Sequence, residues 1–483
     1  MIEGKSSEQR SEEWNQPAYG TQIFAAFAAS LAGASVGASF GYTSPAGPRL
    51  KNPISEADGK LQLDAIELNI FGSCLTLAAA LGALLCGYCM SRWGRRVTLL
   101  GAAAVSIIGW LPIAFGTGFP LLMFGRILNG IGTGAVTVVG PAYIGEIASP
   151  SIRGSLGAWF PVMITIGNIF VFGLGSVIFS WRGLAAVSAT PAILCFIFMF
   201  FNKESPQFLV MKARHQEARD ALQYFRGKDH DISEEFASMQ AFVDDLNQKG
   251  GSFRDLLLSH NMKPAAICCT VLLFCQLSGM TPMILNLWTV FEEASTGIQE
   301  DFSTIIIGVV ELVFTLVSVG LVDKVGRKLL LVVSSTVMCL SLAVLGAYFY
   351  LAQQSQEWAR ETLGLLPLTA LILYFAALNA GFFPVQYILI GELMTPEVKG
   401  VFGSISIMVS SISAFVVSVS FEPMQNAIGS YGTNWFYASM CLLALLFSVI
   451  VVPETKGRTM QEIASHFGNP SALSSRNTGA TQS

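Results

Sequence analysis

The chain has 483 residues, 52% of them hydrophobic and only 12% charged, against roughly 25% charged in an ordinary soluble domain. The net charge of −4 comes with no basic block and no interleaved aromatic patch, so a nucleic-acid partner is excluded. The nine cysteines all fall in apolar runs, too far from histidines and carboxylates to suggest a metal, and they read as small packed hydrophobes.

A membrane-crossing helix needs about 20 mostly apolar residues. In chain order the candidates are 22–42, 66–90, 98–117, 120–143, 155–180, 183–201, 264–290, 302–322, 329–351, 365–391, 401–424 and 432–452. The polar start carries no signal-peptide pattern, and no Asn-x-Ser/Thr sequon occurs. The twelve spans divide six and six around the polar stretch 202–263, which has helical patterning at Glu217–Phe225 and Glu234–Leu246. The expected architecture is an all-α membrane protein of twelve transmembrane helices in two six-helix repeats. Its parts are a tail (1–21), an N-terminal bundle (22–201), a helical linker (202–263), a C-terminal bundle (264–452) and a second tail (453–483).

With the N-terminus inside, the tails and even-numbered loops hold 22 Lys and Arg. The opposite loops hold five: Arg49, Lys51, Lys60, Arg182 and Arg360. Discounting the nine in the linker still leaves 13 against five, so both ends and the linker are expected on the cytoplasmic side of a cell membrane.

Three polar motifs recur in the same order, 232, 246 and 250 residues apart. Arg92-Trp93-Gly94-Arg95-Arg96 answers to Asp323-Lys324-Val325-Gly326-Arg327-Lys328. Gly145-Glu146 through Arg153-Gly154 answers to Gly391-Glu392 through Lys399-Gly400. Glu204-Ser205-Pro206 answers to Glu454-Thr455-Lys456. All fall on the cytoplasmic side, and parallel six-helix repeats of this kind describe the major facilitator architecture.

Each half thus sets charges at the inner ends of its helices: Arg92, Arg95, Arg96, Glu146, Arg153 and Glu204 in the first, Asp323, Arg327, Glu392, Lys399 and Glu454 in the second. Isolated solvated charges would only orient helices and contribute about 0–1 kcal/mol per pair. Duplicated, they read as a cytoplasmic gate of ion pairs that break when that side opens. Glu146 with Arg153 and Glu392 with Lys399 are the expected latches, the second the weaker because lysine lacks the guanidinium fork.

These motifs, with Gly125-Arg126 and Pro453-Glu454-Thr455-Lys456-Gly457, resemble the signature set of the sugar porter family over residues 22–465. Gly41-Tyr42-Thr43-Ser44-Pro45-Ala46 and Pro161 resemble its arthropod trehalose-transporter branch. The chain departs from hexose porters at Cys275-Gln276-Leu277-Ser278-Gly279-Met280-Thr281, where a thiol and a hydroxyl replace two amides. It departs again at Tyr387, where the family has tryptophan, and at Pro161, where glucose carriers have glutamine.

Polar groups deep in a span are functional candidates, because an unsatisfied one in lipid costs several kcal/mol. The candidate sugar ligands are Asn168, Gln276, Ser278, Thr281, Glu311, Asn379 and Tyr387. Glu311 has three open roles: sugar ligand, proton site or helix–helix bond. Arg126 reads as structural. Gly33, Gly37 and Gly41 read as a helix-packing face, and Gly130–Gly134 as no dinucleotide motif.

No nucleophile, base and orienting group cluster on the chain, so an enzyme is not expected, and no cofactor or metal is called for. The expected activity is facilitative transport of a neutral sugar, trehalose or hexose, by alternating access. Related proton symporters carry aspartate where Thr43 stands, and all four histidines lie outside the spans, which argues for uniport. A symporter using Glu311 and a non-transporting sugar sensor are the alternatives.

Overall fold

The computed structural model describes residues 19–53, 61–228, 230–249, 259–294, 298–394 and 396–456, and every regular element among them is helical. Ten membrane helices make one crossing each: Gly20–Lys51, Ala65–Trp93, Arg95–Phe115, Phe119–Ile147, Arg153–Gly175, Trp181–Phe200, Asn261–Leu285, Glu300–Val322, Arg327–Gln354 and Leu366–Leu393. They are the first to tenth spans. An apolar stretch of 49 residues, Phe402–Ile450, follows. At about 1.5 Å per residue it would reach ~74 Å, more than twice the hydrocarbon thickness of ~30 Å. It breaks at Gly429 (φ 75°, ψ 167°) and so supplies the eleventh and twelfth spans.

The first span runs nine residues past the expected end, through Thr43–Lys51, because Tyr42 keeps helical dihedrals (φ −55°, ψ −39°). Small residues then let backbones meet. A methyl on Gly37 would lie 1.9 Å from the Ile164 carbonyl oxygen of the fifth span. One on Gly134 would lie 1.9 Å from that of Ala79 on the second. In the Gly130–Gly134 run, Gly130 and Gly134 therefore pack on the second span and Gly132 on the third.

Apolar cores fill the two sets of six helices, around Trp110, Trp181 and Tyr143 in the first and Tyr374, Phe375 and Tyr437 in the second, and Phe172 of the fifth span joins the second core. Hydrogen bonds among the described residues cross between the sets at three named places. Asn69 Nδ2 donates to the Val419 carbonyl (2.9 Å), the Trp288 N–H donates to Ser44 Oγ (3.1 Å), and Asn168 Nδ2 donates to Glu311 Oε2 (3.2 Å).

The polar stretch after the sixth span folds into Pro206–Met211, His215–Arg226 and Ser233–Lys249, which share a small core of their own. Arg226 docks this unit on the first six helices. Its NH1 donates to the Ile147 carbonyl (2.8 Å) at the end of the fourth span, while Nε and NH2 grip both oxygens of Glu235 (2.8 and 2.6 Å). A cation on a helix C-terminus also complements the helix dipole. Thr21 Oγ1 adds a bond to the Tyr224 carbonyl (3.0 Å).

Candidate transport site and gate

The duplicated motifs condense into one structural unit per half. In the first, Glu204 Oε1 accepts the backbone N–H groups of Arg95 and Arg96 (2.9 Å each), the first two residues of the third span. In the second, Glu454 accepts those of Arg327 (3.1 Å) and Lys328 (3.2 Å), which open the ninth. Helix N-termini leave donors unpaired and carry partial positive charge, so a carboxylate there satisfies both. The preceding glycines make room. Gly94 and Gly326 hold φ of 98° and 103°, which side chains avoid, and a methyl on either would come within 2.4 and 2.8 Å of the capping carboxylate.

The residue after each cap ties it to the next motif. Ser205 Oγ donates to Glu146, and Thr455 Oγ1 donates to Glu392 Oε2 (2.6 Å). Each of those carboxylates also holds an arginine: Arg95 NH2 lies 2.8 Å from Glu146 Oε1, and Arg327 NH2 lies 2.8 Å from Glu392 Oε1. The four side chains retain 11–25% of their exposure, so the pairs are part-buried and less screened than surface pairs.

This corrects the expected latches. Arg153 does not pair with Glu146; it is exposed and reaches the Ala148 carbonyl at 3.4 Å. The turn at Ser149-Pro150 swings it outward, and that turn is held by Gln22 Oε1, which accepts the Ser149 N–H (2.8 Å) and hydroxyl (2.9 Å). Among the described residues the partner of Glu392 is Arg327. The side chains of Asp323 and Lys399 lie outside the described residues. Arg96 donates to the Phe200 carbonyl (2.6 Å), and Arg92 is exposed beyond the ion pair.

Deeper in the membrane, the helices carrying the candidate ligands are broken where those ligands sit. The seventh span stops at Leu277, turns through Gly279 (φ 86°) and resumes at Met280. Gln276 flanks the break, donating to Ser410 Oγ (3.1 Å) and accepting from Thr281 Oγ1 (2.7 Å). Ser278 lies 3.2 Å from the Tyr374 hydroxyl, which also donates to the Ser278 carbonyl (3.1 Å) left unpaired by the break. In the tenth span a π-helical turn, Leu378–Phe382, carries Asn379, which donates to the Phe375 carbonyl (2.9 Å) and accepts from Thr315 (3.5 Å). Such turns widen a helix and recur at functional positions. Tyr387 packs edge-on against Phe383, at 5.5 Å between centroids.

Gln276, Ser278 and Thr281 therefore form one cluster. Asn168 and Glu311 form another on the seam between the halves, and Asn379 and Tyr387 sit apart on the tenth span. Ser410, which reads in the sequence as a hydroxyl able to bond its own preceding turn, and Tyr374 and Thr315, not singled out there, complete the network. Gln386 is wholly buried nearby, beside the Cys275 thiol, and its amide finds no oxygen or nitrogen partner. An amide inside an apolar run was the available signal.

Arg126 is wholly buried and meets no carboxylate among the described residues. It donates to the Ser39 carbonyl (2.9 Å), the Phe71 carbonyl (3.2 Å) and the Thr43 hydroxyl, and lies 4.8 Å from the Phe71 ring centroid. Carbonyl dipoles and an aromatic face replace the missing counter-ion.

Two six-helix sets, helices broken at midplane amides and hydroxyls, and part-buried ion pairs at one end define a major facilitator carrier. The model of the family described as "Sugar (and other) transporter" matches residues 21–467. A facilitated trehalose transporter, Tret1, of Apis mellifera ligustica is 33% identical, covering 94% of this chain and 89% of that one. The mouse solute carrier family 2, facilitated glucose transporter member 8, is 32% identical, covering 93% and 95%. Among solved structures, the major facilitator proton:xylose symporter XylE superposes with a TM-score of 0.75 at 23% identity, covering 92% of this chain and 99% of that one, which establishes the fold. The chain belongs to the sugar transporter family and is a multi-pass membrane carrier, not an enzyme.

Proposed function

We propose that this protein moves a neutral sugar down its gradient by alternating access, with trehalose the leading substrate. The bundles 22–201 and 264–452 rock about the substrate, and the linker 202–263 travels with the first. The ligands are the uncharged groups of Gln276, Ser278, Thr281, Asn379 and Tyr387 from the second half and Asn168 from the first, with Glu311 on the seam. Amides and hydroxyls bond sugar hydroxyls in either direction, and a tyrosine face covers an apolar side. Gln386, whose amide finds no oxygen or nitrogen partner, joins them when the tenth span shifts. Trehalose is preferred because relatives bearing that name resemble the chain over nearly its whole length, and because Pro161, Thr281 and Tyr387 are shorter than the side chains hexose porters carry.

The charges at the inner ends form the cytoplasmic gate, Arg95–Glu146 and Arg327–Glu392 being its core. Both termini lie on the cytoplasmic side, and the membrane is the plasma membrane.

The observation that carries uniport is the neutral surroundings of Arg126: Thr43 and two carbonyls hold it, so no proton needs to be released there during the cycle. A second reading rests on Glu311, a buried carboxylate whose described hydrogen-bond partner is a neutral amide and which is therefore suited to carry a proton. Uptake of labelled trehalose into proteoliposomes, with glucose, maltose and inositol as competitors, tests the substrate. Indifference to trehalose alongside saturable glucose uptake would overturn that assignment.

A further inference from the structure

The cytoplasmic-side end of the second span carries a feature that the transport reading does not use. Leu77, Leu81 and Leu84 are 45–49% exposed, and Tyr88 is 64% exposed. At spacings of three and four residues they form one stripe, which continues to the exposed Arg92. The opposite faces of this helix are spent: Ala79 and Gly82 meet the fourth span, and Asn69 bonds the eleventh. A leucine stripe on the remaining face of a membrane helix looks into lipid.

Where that stripe ends there is a cleft of about 380 Å³, lined by Tyr88, Ser91, Arg92, Trp93 and Lys212. Lys212 comes from the linker, at the end of helix Pro206–Met211, with its ammonium 5.8 Å from the Phe208 ring centroid. No carboxylate lines the cleft, and among the described residues neither Arg92 nor Lys212 pairs with one. The adjoining cavity differs: Arg96, Lys203 and Arg214 there stand against Glu204, Glu217 and Asp220.

We propose that this cleft binds the phosphate of an anionic lipid headgroup. Arg92 and Lys212 neutralise it, the Tyr88 hydroxyl donates to its oxygens, Ser91, whose hydroxyl donates to the Tyr88 carbonyl (2.8 Å), lines the wall, and the acyl chains lie along the leucine stripe. Basic pockets flanked by interfacial tryptophan and tyrosine at the cytoplasmic ends of spans are suited to such headgroups. A soluble phosphate compound would satisfy the cations equally well but would leave the stripe unused. Because Arg92 is on the second span and Lys212 on the linker, one bound lipid bridges the two. The inference rests on membrane embedding and is independent of which sugar is carried.

The test uses the full-length protein in nanodiscs of phosphatidylcholine titrated with phosphatidylserine, with retained lipid counted by native mass spectrometry and no sugar present. Arg92→Gln and Lys212→Gln are each expected to lower phosphatidylserine affinity about fivefold. Lys228→Gln with Lys263→Gln removes two charges elsewhere and is expected to change it less than twofold. A loss in the Lys228→Gln/Lys263→Gln variant as large as that in either single variant would reduce the effect to diffuse attraction and overturn the site. Displacement of the lipid by inositol hexakisphosphate at comparable affinity would overturn the lipid as its occupant.

Discussion

Asn168 of the fifth span donates to Glu311 of the eighth at 3.2 Å, a hydrogen bond between the two halves. A carrier that alternates must break and remake such a bond, so the pair ties the conformational change to whatever occupies the seam. Glu311→Gln keeps the acceptor oxygen and removes the charge. Counterflow is expected to stay within about threefold of the parent, whereas Glu311→Leu, which leaves Asn168 unsatisfied, is expected to lose about tenfold or more. A Gln variant as inactive as the Leu variant would show that the charge itself is needed.

Gln276 bonds both Ser410 and Thr281, so it organises the break in the seventh span, and it is one of the proposed sugar ligands. Gln276→Leu is expected to raise KM about tenfold, the equivalent of one hydrogen bond and its orphaned partner. Equilibrium exchange of labelled sugar checks this; unchanged KM would move the binding site away from this cluster.

Gly94 and Gly326 test the duplicated capping unit. Alanine at either forces a side chain into a left-handed backbone and against Glu204 or Glu454, with an expected loss of about 1–3 kcal/mol. Thermal unfolding in detergent should show both variants destabilised to a similar degree. A tolerated Gly94→Ala would mean that the cap is not rigid.

Acid should loosen the second cap late. Burial pushes the Glu454 carboxyl upward, but backbone N–H groups of Lys456, Arg327, Lys328 and Thr455 outweigh it and hold the group below its ordinary value. A depressed folded value means the stabilisation is fully present above the unfolded carboxylate value of ~4.3 and is lost as pH falls through the lower, folded one. Hydrogen-exchange protection at Arg327 and Lys328 should therefore persist to about pH 4 and fall below it. Loss near neutrality would contradict the cap.

The spans were legible because apolar runs of about 20 residues have few alternatives, and the eleventh and twelfth were separable because Gly429 lies between the expected stretches 401–424 and 432–452. The carboxylates of the gate were legible from their repetition, but their partners were not. Glu146 and Arg153 look paired in the chain, yet Glu146 meets Arg95, 51 residues away, once the third and fourth spans pack. The amides of the proposed sugar site could be seen as polar residues in apolar runs. The hydroxyls of Tyr374 and Ser410 were hidden because such groups commonly bond their own preceding turn, and only tertiary packing redirects them.

The central claim is downhill sugar flux without a proton. Reconstituted protein in liposomes with labelled trehalose, with and without an imposed pH gradient, tests it most directly. The account predicts that the sugar equilibrates to the same final level in both cases, and that Thr43→Asp, which sets a carboxylate beside Arg126, makes the rate pH-dependent. Accumulation above equilibrium under the gradient in the parent protein, abolished in Glu311→Gln, would contradict it.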